Sequence, residues 1–184
     1  MNKQIGDIIL FSGEGAFSKI IQLGTGSKWS HVAMYAGNNQ IFESTSIGNT
    51  IDAITGKLQN GVQLTDFDAR VANYEGGVAY RAITGRRNPA QEFVLAELIQ
   101  SLHGTPYESS KWQLASAALD RLPWHANKQD ESSLFCSELV AKVLRAMEIL
   151  PFTAEPTNEY TPADFGEKLK LLPGYKWGKT LKLK

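Results

Sequence analysis

The feature that most constrains this chain is a change of hydrophobic period near its middle. In the first half, apolar residues come in short runs closed by turn formers: Ile8 to Phe11 after Gly6-Asp7, Ser30 to Ala36, Ile41 to Thr45, and Val78 to Ile83. Runs of this length between Gly, Asn and Asp are strands, and Gly37-Asn38-Asn39-Gln40 folds the second run onto the third as a hairpin. Ala16 to Leu23 reads as a turn or two of helix closed by Gly24-Thr25-Gly26-Ser27. The turn-rich stretch 46–76 offers one further strand, near Val62 to Leu64.

After Pro89 the period becomes helical. Phe93, Leu95, Ala96, Leu98, Ile99 and Leu102 form one stripe, ended by Gly104. Trp112, Leu114, Ala115, Ala118, Leu119 and Leu122 continue similar spacing up to Pro123, within 108–131. Ser133 is placed to cap a last helix running to about Met147, with Leu139, Val140, Val143 and Leu144 facing inward. Strands first and helices later predict an α+β layer fold, not alternating βαβ units.

At 184 residues the chain is expected to be one domain: strands in 1–88, helices in 89–150 and a C-terminal extension in 151–184. Nineteen basic against nineteen acidic residues argue against a nucleic-acid binder, which carries a positive excess. A single cysteine excludes an internal disulfide and cysteine-based zinc folds. His31, His103 and His125 lack metal-ligand spacing, so no metal and no cofactor is expected. No apolar run approaches the ~20 residues of a membrane span, and Ile8 to Phe11 is shorter than a signal-peptide core of ~7–15. A cytoplasmic location is expected, with signal-independent export left open.

The chemistry centres on that one thiol. Cys136 falls in the first turn of the last helix, the third helical position if Ser133 is the cap, where free N–H groups and the helix dipole favour a thiolate. It also continues the inward stripe, as a buried structural cysteine would. His31 opens an apolar strand, which holds an imidazole at fixed orientation; a neutral imidazole beside a thiol takes its proton. Glu43, in the partner strand, is the candidate to orient that ring, since an acid between apolar neighbours is costly to bury unpaired. The turn decides whether it can. A two-residue turn pairs residue 34 with 43 and puts Glu43 on the face opposite His31. A three- or five-residue loop with a bulge pairs 33 or 35 with 43 and puts both on one face.

These residues resemble a known family. Gly104-Thr105-Pro106-Tyr107 and Phe135-Cys136-Ser137-Glu138-Leu139-Val140 resemble the nucleophile half of NlpC-type papain-like cysteine hydrolases. His31-Val32-Ala33-Met34-Tyr35-Ala36-Gly37, with Glu43 twelve positions after the histidine, resembles their base half. Histidine first and cysteine last is the order of the circularly permuted, YiiX/YycO-like branch, related to lecithin:retinol acyltransferase; Gly6-Asp7-Ile8-Ile9 resembles its opening. The matching pieces cover under a third of the chain.

The resemblance implies a permuted papain-like core, an antiparallel sheet packed against the cysteine helix. It implies Cys136 as nucleophile, His31 as general base and Glu43 as orienting residue, with the Cys136 N–H in an oxyanion hole. Tyr107 matches a family tyrosine beside the thiol, and Ser137 and Trp112 join it as candidate oxyanion or substrate-binding residues. Tyr107 and Cys136 lie 29 positions apart, and the insert between them, longer than in simpler members, is expected to shape the substrate pocket.

Three functions follow. The first is a thiol hydrolase that cleaves an amide, in a cell-wall-like or related peptide, through an acyl-enzyme. The second is a lipid-directed thioesterase or acyltransferase with the same triad; six lysines and no acid from Lys168 onward could approach anionic lipid as a peripheral contact. The third is a non-catalytic binding module, which has no need of a converging thiol, imidazole and carboxylate.

Overall fold

The computed structural model describes residues 2–46, 49–107, 135–152, 157–167 and 169–184. Among these, β1 (Ile8–Gly13), β2 (His31–Gly37), β3 (Gln40–Thr45), β4 (Gly61–Asp66), β5 (Gly76–Thr84) and β6 (Lys176–Lys182) form one sheet. Its order is β4-β3-β2-β1-β5-β6, with every adjacent pair antiparallel. The helices are α1 (Ala16–Thr25), α2 (Phe67–Asn73), α3 (Pro89–Leu102), α4 (Cys136–Ala146) and α5 (Pro162–Glu167), with a 3-10 turn at Thr157–Glu159. The mixed helix and antiparallel sheet is the α+β class expected.

Alternation along the strands sends odd and even residues to opposite faces. Ile8, Leu10, Val32, Met34, Phe42 and Val62 face one way and bury the Leu139, Val140, Val143 and Leu144 stripe of α4. Each such side chain contributes about 1.5–3 kcal/mol on leaving water. Ile9, Phe11, Ala33, Tyr35, Ile41, Val78 and Tyr80 face the other way, against Phe67 of α2 and Tyr74 just after it. The sheet is therefore covered on both sides, and each side contributes to the site.

Four sequence expectations change. Helix α4 has Phe135 at its N-cap, so Cys136 is its first helical residue and not its third. Helix α2 had no counterpart in the reading of 46–76; its start is marked by Asp66, whose carboxylate accepts from Ala69 N at 2.8 Å. The 151–184 stretch is no mere extension, because β6 pairs along β5 and completes the sheet. Its Lys176, Lys179 and Lys182 sit on an edge strand, where lysines discourage pairing with other chains. The fourth is the hairpin. Asn38 (φ 48°) and Asn39 (φ 58°) form a two-residue turn, with Gly37 paired to Gln40. The register then slips at Ala36, so that Tyr35 faces Ile41 and Met34 faces Phe42. A bulge rather than a longer loop decides the face of Glu43.

The Gly6-Asp7 opening proves to be an anchor for the sheet. Buried Asp7 accepts from Ile83 N and Gln4 N, each at 2.8 Å, and from the Tyr80 hydroxyl, with Arg87 Nη2 3.5 Å away. The predicted helical spacing of 108–131, with Trp112 and Trp124, lies outside the described residues, as do Ser133 and His125.

Candidate active site

His31 is the first residue of β2, on the face that carries Phe11, and its ring lies 5.1 Å from the Phe11 ring. Cys136 is the first residue of α4, which packs on the opposite face against β2 and β3. The two meet because both sit at an end: the imidazole at the strand's beginning, the sulfur at the helix's beginning.

The Nε2 of His31 lies 2.7 Å from Glu43 Oε2. That commits one ring nitrogen to the acid and leaves Nδ1 for the hydrogen bond the ring makes with the Cys136 sulfur. The bulge has brought Glu43 to the His31 face, where no part of it is exposed. Burial opposes charging the imidazole, but the Cys136 charge first, and then hydrogen bonds to Cys136 and Glu43, push His31 up to about 9. Burial likewise pushes the Cys136 thiol up; the His31 charge and hydrogen bond, with main-chain N–H groups of Val32 and Ser137, outweigh it and lower the thiol. Phe135 at the N-cap has no oxygen with which to cap α4. The N–H groups of the first turn therefore stay available to a negative sulfur or oxygen.

Glu43 is held by residues that the sequence reading did not single out. Arg70 of α2 donates from Nε to Oε1 at 2.6 Å and from Nη2 to Oε2 at 3.1 Å. Gln63 Nε2 and Thr65 Oγ1 of β4 donate to Oε1 at 3.3 and 3.4 Å. Burial raises the Glu43 carboxyl, yet Arg70, and after it His31, hold it well below the usual carboxylate range. A buried acid implies a buried cation, and that was the available signal. It names no partner, because Arg70 lies 27 positions away in sequence.

The remaining candidates fall around the thiol or away from it. The Tyr107 ring stands edge-on to Phe135 at 5.8 Å, beside the residue preceding Cys136. The Ser137 hydroxyl donates to the Tyr160 carbonyl at 2.6 Å, so its side chain is turned into the fold while its N–H serves the sulfur. Trp112 lies outside the described residues. His103 belongs to a separate clasp, its Nε2 3.1 Å from both Asp52 oxygens and 3.3 Å from Gln59 Nε2. Among the described residues, no group of three or more His, Cys, Asp or Glu is arranged to hold a metal ion.

A histidine-bearing antiparallel sheet followed in the chain by a helix that opens on a cysteine is the architecture of a circularly permuted papain-like cysteine hydrolase. The chain belongs to the family of permuted papain-like amidases, YaeF/YiiX, C92, whose model matches residues 2–169. It is accordingly a thiol hydrolase of the amidase or peptidase-like kind. A similar solved structure is that of YiiX from Escherichia coli O157:H7, described as a metalloprotein. It is 20% identical with a TM-score of 0.60, over 97% of this chain and 98% of the other. At that identity the likeness is one of fold. No curated protein gave a significant match.

Proposed function

We propose that this hydrolase cleaves an amide bond through an acyl-enzyme on Cys136, with His31 as acid and base and Glu43 as the residue that orients it. The observation that carries the reading is the division of the imidazole: Nε2 on Glu43 at 2.7 Å, Nδ1 toward the sulfur. The Cys136 thiolate attacks the amide carbonyl carbon, and the oxyanion that forms draws on N–H groups at the start of α4. The Nδ1 proton of the imidazolium passes to the departing nitrogen as the C–N bond breaks, leaving a thioester. Water then attacks the thioester while Nδ1 takes its proton, and the acid and the thiolate are regenerated. A cell-wall-like or related peptide amide is the substrate class this chemistry suits.

One observation favours a lipid-directed reading of the same residues. Helix α1 leads directly into His31, pinned by Gln22 Nε2 to the Gly13 and Lys28 carbonyls at 3.0 Å each. Its Ile20 and Leu23 are exposed, with Lys19 and Lys28 exposed nearby, a combination suited to an acyl chain with an anionic headgroup. A panel of muropeptide-like amides, acyl esters and phospholipids, scored by mass for an acyl adduct on Cys136, separates the two. An adduct with amides supports the first reading, and one confined to esters or phospholipids the second. Turnover of every active substrate by Cys136→Ser would overturn both.

A further inference from the structure

We propose that Arg70 is a positioning residue of this site: from α2 it grips both oxygens of Glu43, fixing the plane of the carboxylate and balancing the charge of the row Cys136–His31–Glu43. The inference rests on the roles just proposed for those three residues.

The geometry is that of a fork. Two guanidinium nitrogens bind the two carboxylate oxygens at 2.6 and 3.1 Å, and a third, Nη1, reaches Asn49 Oδ1 at 3.3 Å. The guanidinium lies over the Phe11 and Tyr74 rings, 5.0 and 5.2 Å from their centroids. Only 1% of its side chain and none of Glu43's is exposed. With Oε1 taken by Arg70, Gln63 and Thr65, the oxygen presented to His31 is Oε2, in one orientation. A bidentate pair fixes direction as well as distance, which a lone ammonium does not.

Charge makes the stronger case. In the reactive state the sulfur and Glu43 are negative and His31 is positive, which leaves one net negative charge in a site almost closed to water. Arg70 brings the row to neutrality, each charge next to its opposite. Without it a proton is drawn in from solvent, to the sulfur or to the carboxylate, and the thiolate–imidazolium–carboxylate state is depleted. Among the described residues Tyr74 also faces the row, interacting with Cys136, Glu43 and Arg70, while Glu138 lies in the same turn of α4 as Cys136 and Tyr107 stands beside Phe135. Burial pushes the Tyr74 phenol above the ordinary value, and its hydroxyl bonds Ser30. Gln63, Thr65 and Asn49 do not titrate.

The competing role is a plug: Arg70 merely fills the space between α2 and the sheet. The two separate in the pH dependence of the thiolate, read by ultraviolet absorbance against Cys136→Ser controls, a measurement that needs no substrate. Arg70→Met should move the acid limb up by about one pH unit or more, the scale of an opposite charge removed at contact distance. Arg70→Lys, which keeps the charge, should return the limb to near the wild-type position. If Arg70→Met does not fold, Arg70→Gln takes its place with the same expected shift. A limb unmoved by losing the cation overturns this inference alone. A wild-type limb at the position of an ordinary thiol overturns the proposed function instead.

Discussion

Glu43 stands across the β2–β3 ladder from Ala33, two residues along the strand from His31, because the register slips by one between Tyr35 and Gly37. Without that slip the two-residue turn would set Glu43 opposite Met34, on the α4 face, far from the imidazole. Gly37 holds φ 92°, where any other residue is strained, although a Cβ there would meet only Ile5 at 3.4 Å. Gly37→Ala is therefore expected to cost about 1–2 kcal/mol through the backbone alone. It should also lower turnover beyond what the lost stability explains, since the cheapest relief is to undo the bulge. Urea unfolding together with kcat on the folded fraction checks this; a loss of stability with kcat intact would count against the bulge as the site's setting device.

Cys136 is the sole thiol, so alkylation reads one position without ambiguity. The His31 charge lowers the thiol against its burial, and iodoacetamide is expected to react readily near pH 6. In His31→Ala the thiol returns toward the ordinary ~8.5, and at that pH the rate should fall on the order of 100-fold. Labelling followed by mass against pH is the measurement. A wild-type rate rising only near the ordinary thiol value, or labelling only after unfolding, would make Cys136 a core residue and nothing more.

The parts of this architecture that were legible in the sequence are those whose signal is local. Apolar runs between turn formers marked β1, β2, β3 and β5, and the Pro89-to-Gly104 punctuation marked α3, with Gly104 at φ 79°. The lone cysteine, the strand-opening histidine and the buried acid stood out because each is expensive or idle where it lies unless it is partnered. The less legible features depend on contacts distant in sequence. Nothing in Phe67-Asp68-Ala69-Arg70 announces that its arginine closes on Glu43, 27 positions earlier. The β6 strand reads as a solvated basic tail because an edge strand needs only one partner and keeps its lysines in water. The bulge was undetermined because Gly-Asn-Asn tolerates several turns, and the energy that selects one comes from pairing Glu43 with His31 and Arg70.

The pH dependence follows from the two ends of the row. In the proposed mechanism protonated His31 is the acid that the leaving nitrogen needs, so amide turnover should decline as pH rises through about 9, while the thiolate remains and alkylation does not fall. Stability carries the same sign. His31 is raised on folding, so its contribution is complete below the ordinary imidazole value of 6.5 and is lost as pH climbs through about 9. Glu43 is lowered, so its contribution is complete above the ordinary 4.5 and is lost as pH falls below it. Urea midpoints against pH for wild type and His31→Ala test this, the difference between them shrinking on the alkaline side. A difference that grows with pH would reverse the assignment.

Glu43→Ala and Glu43→Gln separate the acid's two duties. Alanine leaves the Arg70 guanidinium buried and uncompensated, which should cost about 3–5 kcal/mol. Glutamine keeps the volume and an oxygen for Arg70, and should cost distinctly less. Turnover should not follow that order of kindness. With its oxygen turned to Arg70, the carboxamide presents its NH₂ to His31 Nε2, which must then accept. The ring proton moves to Nδ1, where the neutral imidazole faces the sulfur with no lone pair to take a proton from it. Glu43→Gln should therefore remain folded and yet lose about 10²- to 10⁴-fold in kcat, with its thiolate limb displaced upward. Thermal unfolding, kcat and the thiolate titration of the two variants together decide the point: a glutamine variant that is stable and fully active would show that orientation of His31 by Glu43 is not part of the chemistry.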